Sequence, residues 1–572
     1  MMSGLKDFLP RTDYNAGMAK SELRLPVRNH RPRALPRGSK RIAIQGSARV
    51  QVTVVVRSKG SSAEWRKLVE RSITGLPKER EYLTRAEFGK AWGASRADLA
   101  AVSAYGRAHG MKTVSDAWRR CVVFSGTIKQ HQKAFGVELG AVRHPERNFI
   151  TYRGTPKVGA SIHPMVEAIL GLDTRPTAHP HLIGQYPVDA PRQLKLPELR
   201  EAYAFPRRAR GKGQCVSVIE LGGGFRRRDY HEYFARIGIK PPRLSIRTLP
   251  GATNDPAPPK EIRETVTAGL KGDSPPLMTE EEYFRIAWTC ETSMDLQIVG
   301  TLAPKAKLLL VFGSNDDQGH YHAITSVLAD ARNAPSVISC SWGGPEGKAT
   351  PAQFALDSWF QAAAVLGVTM CFAAGDAGDG TLGKIRKKNM TFVTFFPASS
   401  PYVLACGGTK LDVEARTEVA WRQRFGSTTM AGGGGFSVLF PRPPWQLSAG
   451  IDSADWIPAN ASSGTGRGVP DVSAKASFDP AFCYVTGGMK SPAGGTSAAT
   501  PIWAALIAVL NEALGVPVGS INPLLYGSAL NESLRDITRG NTGHLHARVG
   551  WDPSSGWGSP HGEAMLEVLA GR

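Results

Sequence analysis

A serine framed by small residues, in AGGTSAATPIWAALIAVLNE (residues 493–512), is the first candidate for chemistry. Ser497 follows Gly494, Gly495 and Thr496 and opens an apolar, helix-like run. Free backbone N–H groups at a helix N-terminus favour a developing oxyanion. Serine is just as common there as a plain N-cap, and its hydroxyl attacks only when a base holds the proton. The base has to come from elsewhere. WTCETSMDLQIVG places Glu291 and Asp295 four residues apart, on one face of a helix. Carboxylates so close repel, so one should keep its proton to higher pH than usual. A lone E-x-x-x-D is more often a solvated acidic face. Here the neighbours Trp288, Met294, Leu296, Ile298 and Val299 are apolar. A histidine base has no comparable setting. The His-Gly pairs, His109-Gly110 and His561-Gly562, lie in the N-terminal domain and near the C-terminus.

A second oxygen-rich region is bracketed by LRDITRGN and VGWDPSSGWGSP. Asp536 and Asp552 are hard oxygen donors, and a Gly-rich loop can turn carbonyls inward, a mix that suits calcium. Loop aspartates making Asx turns would look the same.

These groups need elements to hold them. From residue 214 onward, short apolar strands (CVSVIEL, KLLLVFG, SVISCSWG, GVTMCFAAG, YVLACGG) alternate with helical stretches. That alternation predicts an α/β fold whose parallel sheet is buried on both faces. Residues 46–173 predict a smaller α+β domain: a strand in ARVQVTVVVRS, helices in AEWRKLVERSI and TRAEFGKAWGASRADLAAVSAYGRAHG, then strand, turn and helix in TVSDAWRRCVVFSGTIKQHQKAFGV. Thr84 and Glu87 give the second helical stretch a T-x-x-E start signal. Residues 1–45 are polar and basic and predict a disordered arm. The Pro-rich residues 174–195 predict a linker, which leaves residues 196–572 as the second domain.

Length alone calls for more than one domain: 572 residues exceed one ordinary core. The net charge is +21, and residues 1–190 carry +17 of it, with 32 Lys+Arg against 15 Asp+Glu. A basic block of that size would suit nucleic acid, but no zinc-finger spacing, RNP-like stretch or run of five Lys/Arg accompanies it. The seven cysteines form no C-x-x-C pair, which argues against zinc and for buried free thiols. MMSGLKDFLPRTDYNAGMAK lacks the apolar core of a secretory signal, and no run of 18 apolar residues occurs. No membrane association is expected.

The ordered set of motifs resembles the sedolisins, the serine-carboxyl peptidases, and their kumamolisin branch in particular. E-x-x-x-D with A-P-x-A-K after it, VISCSWGG, CFAAGDAGDG, FFPASSPYVLACGGT, GGGGFS, FPRPPWQ, RGVPDVSA and GGTSAATP follow in family order across residues 200–560. The resemblance implies a subtilisin-like sheet and an acid-active serine endopeptidase. Ser497 would be the nucleophile, Glu291 the general base and Asp295 its proton-sharing partner. Asp376 would complete the oxyanion hole with the Ser497 N–H. Asp379 is its rival, and Asp376 is preferred because A-G-D directly ends a strand. A carboxyl donates to an oxyanion only while protonated, and a Glu base works best near its own pKa of about 4.3. Both point to an acidic optimum. Ser341, Trp342 and Gly343 would flank the substrate.

The same resemblance implies one calcium ion held by Asp536, Asp552 and the carbonyls of Ile537, Arg548 and Gly550, within a 530–560 loop. Arg548 departs from the family's frequent Gly. REYLTRAEFGKAWGAS resembles the family's pro-region signature, so the basic domain reads as an intramolecular inhibitor removed by acid-triggered self-cleavage within residues 174–195. Protonation of carboxylates paired with that domain is the expected trigger. Polypeptides are the expected substrates, the expected state is a monomer, and no nucleic acid is expected. Residues 253–282 are longer than the family's usual approach to the Glu helix and would form a rim near the substrate. Secretion is implied by the family alone. The competing readings are a His-dependent subtilisin, a catalytically dead relative acting as a binding module, and a nucleic-acid binder.

Overall fold

The computed structural model describes residues 23–572 apart from 29, 145–146, 181–192, 272, 274–275, 381, 383–391, 427, 458–463 and 528. The N-terminal domain is built on a four-stranded antiparallel sheet in the order Lys112–Asp116, Cys121–Thr127, Arg49–Val56, Val166–Leu170. The helices Ser62–Ile73, Arg85–Trp92, Arg96–Ala108 and Ile128–Phe135 accompany it. The T-x-x-E signal is a formed capping box: Thr84 N–H donates to Glu87 Oε2 at 2.8 Å, and Glu87 N–H to Thr84 Oγ1 at 3.2 Å. The stretch expected as one helix is two, because Gly93 ends the first and Ser95 caps the second.

The basic arm differs from expectation. Arg24–Pro26 pairs with Lys157–Gly159, and Lys40–Ile42 pairs with Glu138–Arg143. Composition speaks for disorder, but Lys40–Ile42 adds to the open edge of a strand pair, and Arg24–Pro26 forms a two-stranded sheet with Lys157–Gly159. Residues 1–22 lie outside the described residues.

The second domain centres on an eight-stranded sheet. Its order is Leu244–Thr248, Lys307–Phe312, Cys215–Glu220, Val337–Cys340, Thr369–Ala373, Leu404–Asp412 and Thr417–Ala420, with Val472–Lys475 also pairing to Leu404–Asp412. All neighbours are parallel except Thr417–Ala420. KLLLVF shows why such strands read as unbroken apolar runs. Leu308, Leu310 and Phe312 enter one hydrophobic cluster, and Leu309 and Val311 enter another on the opposite face. The helix Thr496–Leu514 has the length and apolar character of a membrane span, but 89% of its apolar window is buried inside the protein. It is the core helix of this domain, packed along Glu280–Leu302 and under the sheet.

All seven cysteines are free, and six of them are buried. The 253–282 segment supplies the helix Pro259–Lys271, whose Ile262 and Val266 are buried in the main core. Arg263 Nη1 donates to the Gly487 carbonyl at 3.0 Å, and Arg285 pairs with Glu261 at 3.2 Å, which fixes the helix beside the start of Glu280–Leu302.

The two domains share one hydrophobic cluster. Val55, Leu68 and Trp92 of the first pack with Trp359, Ala362 and Leu366 of the second. Most arginines that cross the interface donate to oxygens that do not titrate. Arg80 Nη1 reaches the carbonyls of Val518 (2.7 Å) and Ser520 (2.8 Å), and Arg85 those of Leu328 (2.8 Å) and Pro335 (2.9 Å). Among the described residues, titratable contacts across the interface include Arg33 with Asp317, at 3.3 Å, and His322, held between Thr53 Oγ1 (2.8 Å) and the Arg119 guanidinium. The linker's middle, residues 181–192, lies outside the described residues, and with it most of the 174–195 span expected to hold the processing bond. Residues 177–180 lead from the first domain onto the second, where His179 and Pro180 pair with Gly343 and Trp342.

Candidate active site

In a parallel sheet, chemistry gathers beyond the carboxyl ends of the strands. Glu220 ends Cys215–Glu220, Ser341 follows Val337–Cys340, and Asp376 lies three residues after Thr369–Ala373. These strands lie in one sheet, with Val337–Cys340 next to both others. Against that edge come two helices, one carrying Glu291 and Asp295, the other Ser497.

Ser497 is not the N-cap. Gly495 takes that place at φ +79°, a left-handed conformation that L side chains rarely adopt, and Ser497 is the second helical residue. Its N–H therefore lies in the first turn, where the helix offers no acceptor. Ser497 is fully buried and its Oγ has no hydrogen-bond partner. Glu291 is also fully buried, and neither of its carboxylate oxygens is bonded. The Ser497 hydroxyl lies close enough to favour an ionised Glu291 without a formed hydrogen bond.

Asp295, one turn along, is buried as well. Ser341 Oγ donates to its Oδ2 at 2.7 Å and lies 3.3 Å from the Ser497 carbonyl. Asp295 Oδ1 has no partner. Burial, and then the charges of Asp295 and Glu220, push the Glu291 carboxyl well above its usual range. Burial raises Asp295 in the same direction. Three buried carboxyls facing one another cannot all ionise.

Asp376 accepts from both Thr496 N–H and Thr496 Oγ1, each at 2.8 Å, through Oδ1. Its Oδ2 is buried without a partner, and burial pushes its carboxyl up to about 7. Asp379 has a different neighbourhood. Its Oδ2 accepts from His544 N–H at 2.6 Å and from His544 Nδ1 at 3.0 Å, which ties down the 542–544 loop. The chain thus brings Ser497, Glu291, Asp295, Asp376 and Ser341 together and sends Asp379 elsewhere.

Glu220 is the buried carboxyl that sequence reasoning missed. Trp342 Nε1 donates to its Oε2 at 2.8 Å, and burial followed by the Asp295 charge pushes it well above its usual range. Its signal was the last residue of CVSVIE, an acid closing an apolar strand at the sheet's functional edge. Trp342 and Gly343 border the site along the strand that receives His179 and Pro180.

The second oxygen-rich region is also assembled. Asp536 Oδ2 accepts from Gly550 N–H at 2.8 Å, which closes the loop on itself. Asp552 is fully buried and accepts from the N–H groups of Ser554 (2.8 Å), Ser555 (2.9 Å) and Arg548 (3.0 Å). Burial pushes it up to about 7. The Arg548 guanidinium lies 4.2 Å over Trp456, so its side chain is engaged apart from these carboxylates. Two carboxylates suit a hard cation, while the backbone groups turned to them here are N–H donors of Arg548, Gly550, Ser554 and Ser555. Among the described residues, no group of three or more His, Cys, Asp or Glu side chains gathers as a metal centre, so calcium here would depend on carbonyl oxygens.

Residues 36–175 match the family described as Pro-kumamolisin, activation domain, and residues 285–558 match the Subtilase family. The chain is 37% identical to kumamolisin of a Bacillus species, over 98% of both chains. It is 26% identical to tripeptidyl-peptidase sed5 of Aspergillus fumigatus over 93% of this chain and 95% of that one. With tripeptidyl-peptidase 1 of the dog it shares 32% identity over 45% of this chain and 47% of that one. Among solved structures, Pseudomonas sedolisin, a serine-carboxyl proteinase, aligns with a TM-score of 0.52 and 23% identity, over 67% of this chain and 99% of its own, a likeness of fold.

Proposed function

The chain belongs to the sedolisin, or serine-carboxyl peptidase, family in its kumamolisin branch, and on that premise we propose an acyl-enzyme endopeptidase in which Ser497, Glu291, Asp295 and Asp376 do the chemistry. It is a serine-type peptidase made as a zymogen, with the N-terminal domain as intramolecular inhibitor and peptides as substrates. The observation that carries the mechanism is a set of unsatisfied buried atoms: Ser497 Oγ, both Glu291 oxygens, Asp295 Oδ1 and Asp376 Oδ2. Buried polar atoms without partners are rare. With Glu220 Oε1, also unpartnered, six gather at one end of the sheet, which speaks for a site that completes its bonds with substrate.

Glu291 takes the Ser497 proton as Oγ attacks the carbonyl carbon. Asp295 holds a proton towards Glu291 and so steadies its charge. The oxyanion is met by the Ser497 N–H and by the proton on Asp376 Oδ2. Glu291 then passes its proton to the leaving amine, and water releases the acyl group by the same steps in reverse. A dead relative acting as a binding module would have no need of a nucleophile, a base and a donor that are all buried and unbonded. In the zymogen, burial keeps Glu291 protonated. Departure of the 179–180 segment from Trp342 and Gly343 would open this edge to water and ease the ionisation that the base requires.

Acid treatment tests this reading. At pH 3–5 the purified chain should shorten itself and then hydrolyse added peptides. Activity confined to neutral pH would overturn it. The trigger is best sought at His322, which burial and then Arg119 hold down at about 3. A solvated His titrates near 6.5. As pH falls from about 6.5 towards 3, the released form therefore gains a proton that the docked form resists, and docking weakens. His322→Gln should move half-maximal processing to lower pH. An unchanged midpoint would rule His322 out as the trigger.

Asp536, Asp552 and the Ile537, Arg548 and Gly550 carbonyls are the proposed calcium ligands. Bound calcium would neutralise two carboxylates in a loop of little regular structure. Removing it with a chelator should cost about 3–4 kcal/mol of stability relative to 100–1,000-fold Kd of free ion, seen as a fall in Tm that added calcium reverses. No calcium in the purified protein by elemental analysis, with an unchanged Tm, would rule the site out.

A further inference from the structure

A stretch of the chain itself shows how an extended peptide lies beside the reactive centre. His179 pairs with Gly343 and Pro180 with Trp342, antiparallel, so the chain runs towards Ser341. Upstream, the Asn315 side chain, 1% exposed, grips the backbone. Its Oδ1 accepts from the N–H groups of Thr177 (3.2 Å) and Ala178 (3.1 Å), and its Nδ2 donates to the Ala178 carbonyl at 2.7 Å. Gly344 is bare because a Cβ there would come within 2.4 Å of the Thr177 carbonyl oxygen.

The side chain at 179 meets a shelf of rings. The imidazole of His179 lies 5.9 Å from the Phe284 ring, tilted by 40°. Phe284 stacks on Trp288 at 5.7 Å and 26°, and Trp288 meets Trp342 at 5.5 Å. Trp342 is the residue bonded to Glu220, so the rings run without a break from the peptide to the carboxyl cluster. Core packing does not account for Phe284. It is half-buried and belongs to none of the hydrophobic clusters, and Trp288 is only partly buried against one of them.

We propose that Phe284 and Trp288 form a peptide subsite that selects an aromatic or imidazole side chain at the substrate residue paired with Gly343. Asn315 holds the backbone one and two residues upstream. The inference rests on Ser497 being the nucleophile of a peptide-cutting centre. Flat rings favour flat partners in offset or tilted contact, worth roughly a two- to tenfold preference. The Asn315 contacts add backbone recognition that is indifferent to side chain, and they require a substrate extending at least two residues beyond the ring-binding position.

The test is cleavage-site profiling of the acid-processed enzyme on a mixed peptide library, read by mass spectrometry. One position on the N-terminal side of the scissile bond should be enriched roughly two- to tenfold in Phe, Tyr, Trp and His. Phe284→Ala should flatten that position alone, and Phe284→Tyr should restore it. Asn315→Ala should lower kcat/KM for long peptides and spare those that stop short of its contacts. Within the chain, His179→Asp should slow self-shortening and His179→Phe should not. An active wild type with a flat profile, or a profile untouched by Phe284→Ala, would overturn the subsite alone. A wild type that cuts nothing would overturn the peptidase mechanism and the subsite with it.

Discussion

Ser497→Ala and Glu291→Gln should each abolish self-shortening and peptide hydrolysis, by on the order of 10⁴-fold or more in kcat. The first removes the hydroxyl proposed to attack. The second keeps the shape of the side chain but can no longer take a proton. Because the two act as a unit, the double variant should be no worse than either alone. The two differ in a second readout. Burial and the Asp295 and Glu220 charges raise the Glu291 carboxyl in the folded chain. A raised carboxyl supports the fold below its unfolded value, near 4.3, and that support is lost as pH rises through the folded value. Glu291→Gln is neutral at every pH. It should therefore raise Tm relative to wild type at pH 7 and have much less effect at pH 4. Ser497→Ala should not show this dependence. Thermal melts at the two pH values, on chain that cannot process itself, separate these outcomes. Residual activity in Glu291→Gln near the wild-type level would give the base to another residue. An unchanged Tm at pH 7 would mean that Glu291 carries no electrostatic cost.

How much of this was legible beforehand follows from the range of each interaction. The parallel strands could be read because burial on both faces writes an unbroken apolar run, as in KLLLVF. The Glu291/Asp295 pair could be read because four residues on a helix make neighbours whatever the rest of the fold does. Long-range contacts leave no such trace. Ser341 donating to Asp295, Trp342 to Glu220 and Asn315 to Ala178 join residues 46, 122 and 137 positions apart. The ordered parts of the basic arm were missed for the same reason, since Arg24–Pro26 owes its strand to Lys157–Gly159. Local chemistry also misleads where two readings share one pattern. A serine after G-G-T looks like a cap until Gly495 is seen to occupy that place. Asp376 and Asp379 look alike in AGDAGD until His544 binds one and Thr496 the other.

Asp376→Asn should remain active and work at higher pH than the wild type. Asp376 Oδ1 accepts from Thr496 N–H and Oγ1, both at 2.8 Å, and an Asn oxygen can keep both bonds. That orientation turns the Asn Nδ2 to the place of the unpartnered Oδ2, where it donates to an oxyanion at every pH. In the wild type the donor exists only while the carboxyl is protonated, and burial sets that limit at about 7. Above it an anion would face the developing oxyanion and repel it. The alkaline limb of the wild-type kcat profile should therefore fall by about pH 7, and in Asp376→Asn it should move upward until another group limits the rate. Asp376→Ala removes the donor altogether and should cost about 10²–10³-fold in kcat. The same group leaves a mark on stability. Its contribution is full below about 4, the ordinary Asp value, and is lost as pH rises through about 7. Asp376→Asn should flatten that part of the Tm-versus-pH curve. Asp379→Asn is the control, since its carboxylate anchors the 542–544 loop through His544 and should leave the alkaline limb where it was. Equal inactivity of Asp376→Asn and Asp376→Ala, at matched Tm, would mean that position 376 serves the oxyanion in neither protonation state. Its bonds to Thr496 would then be its whole role.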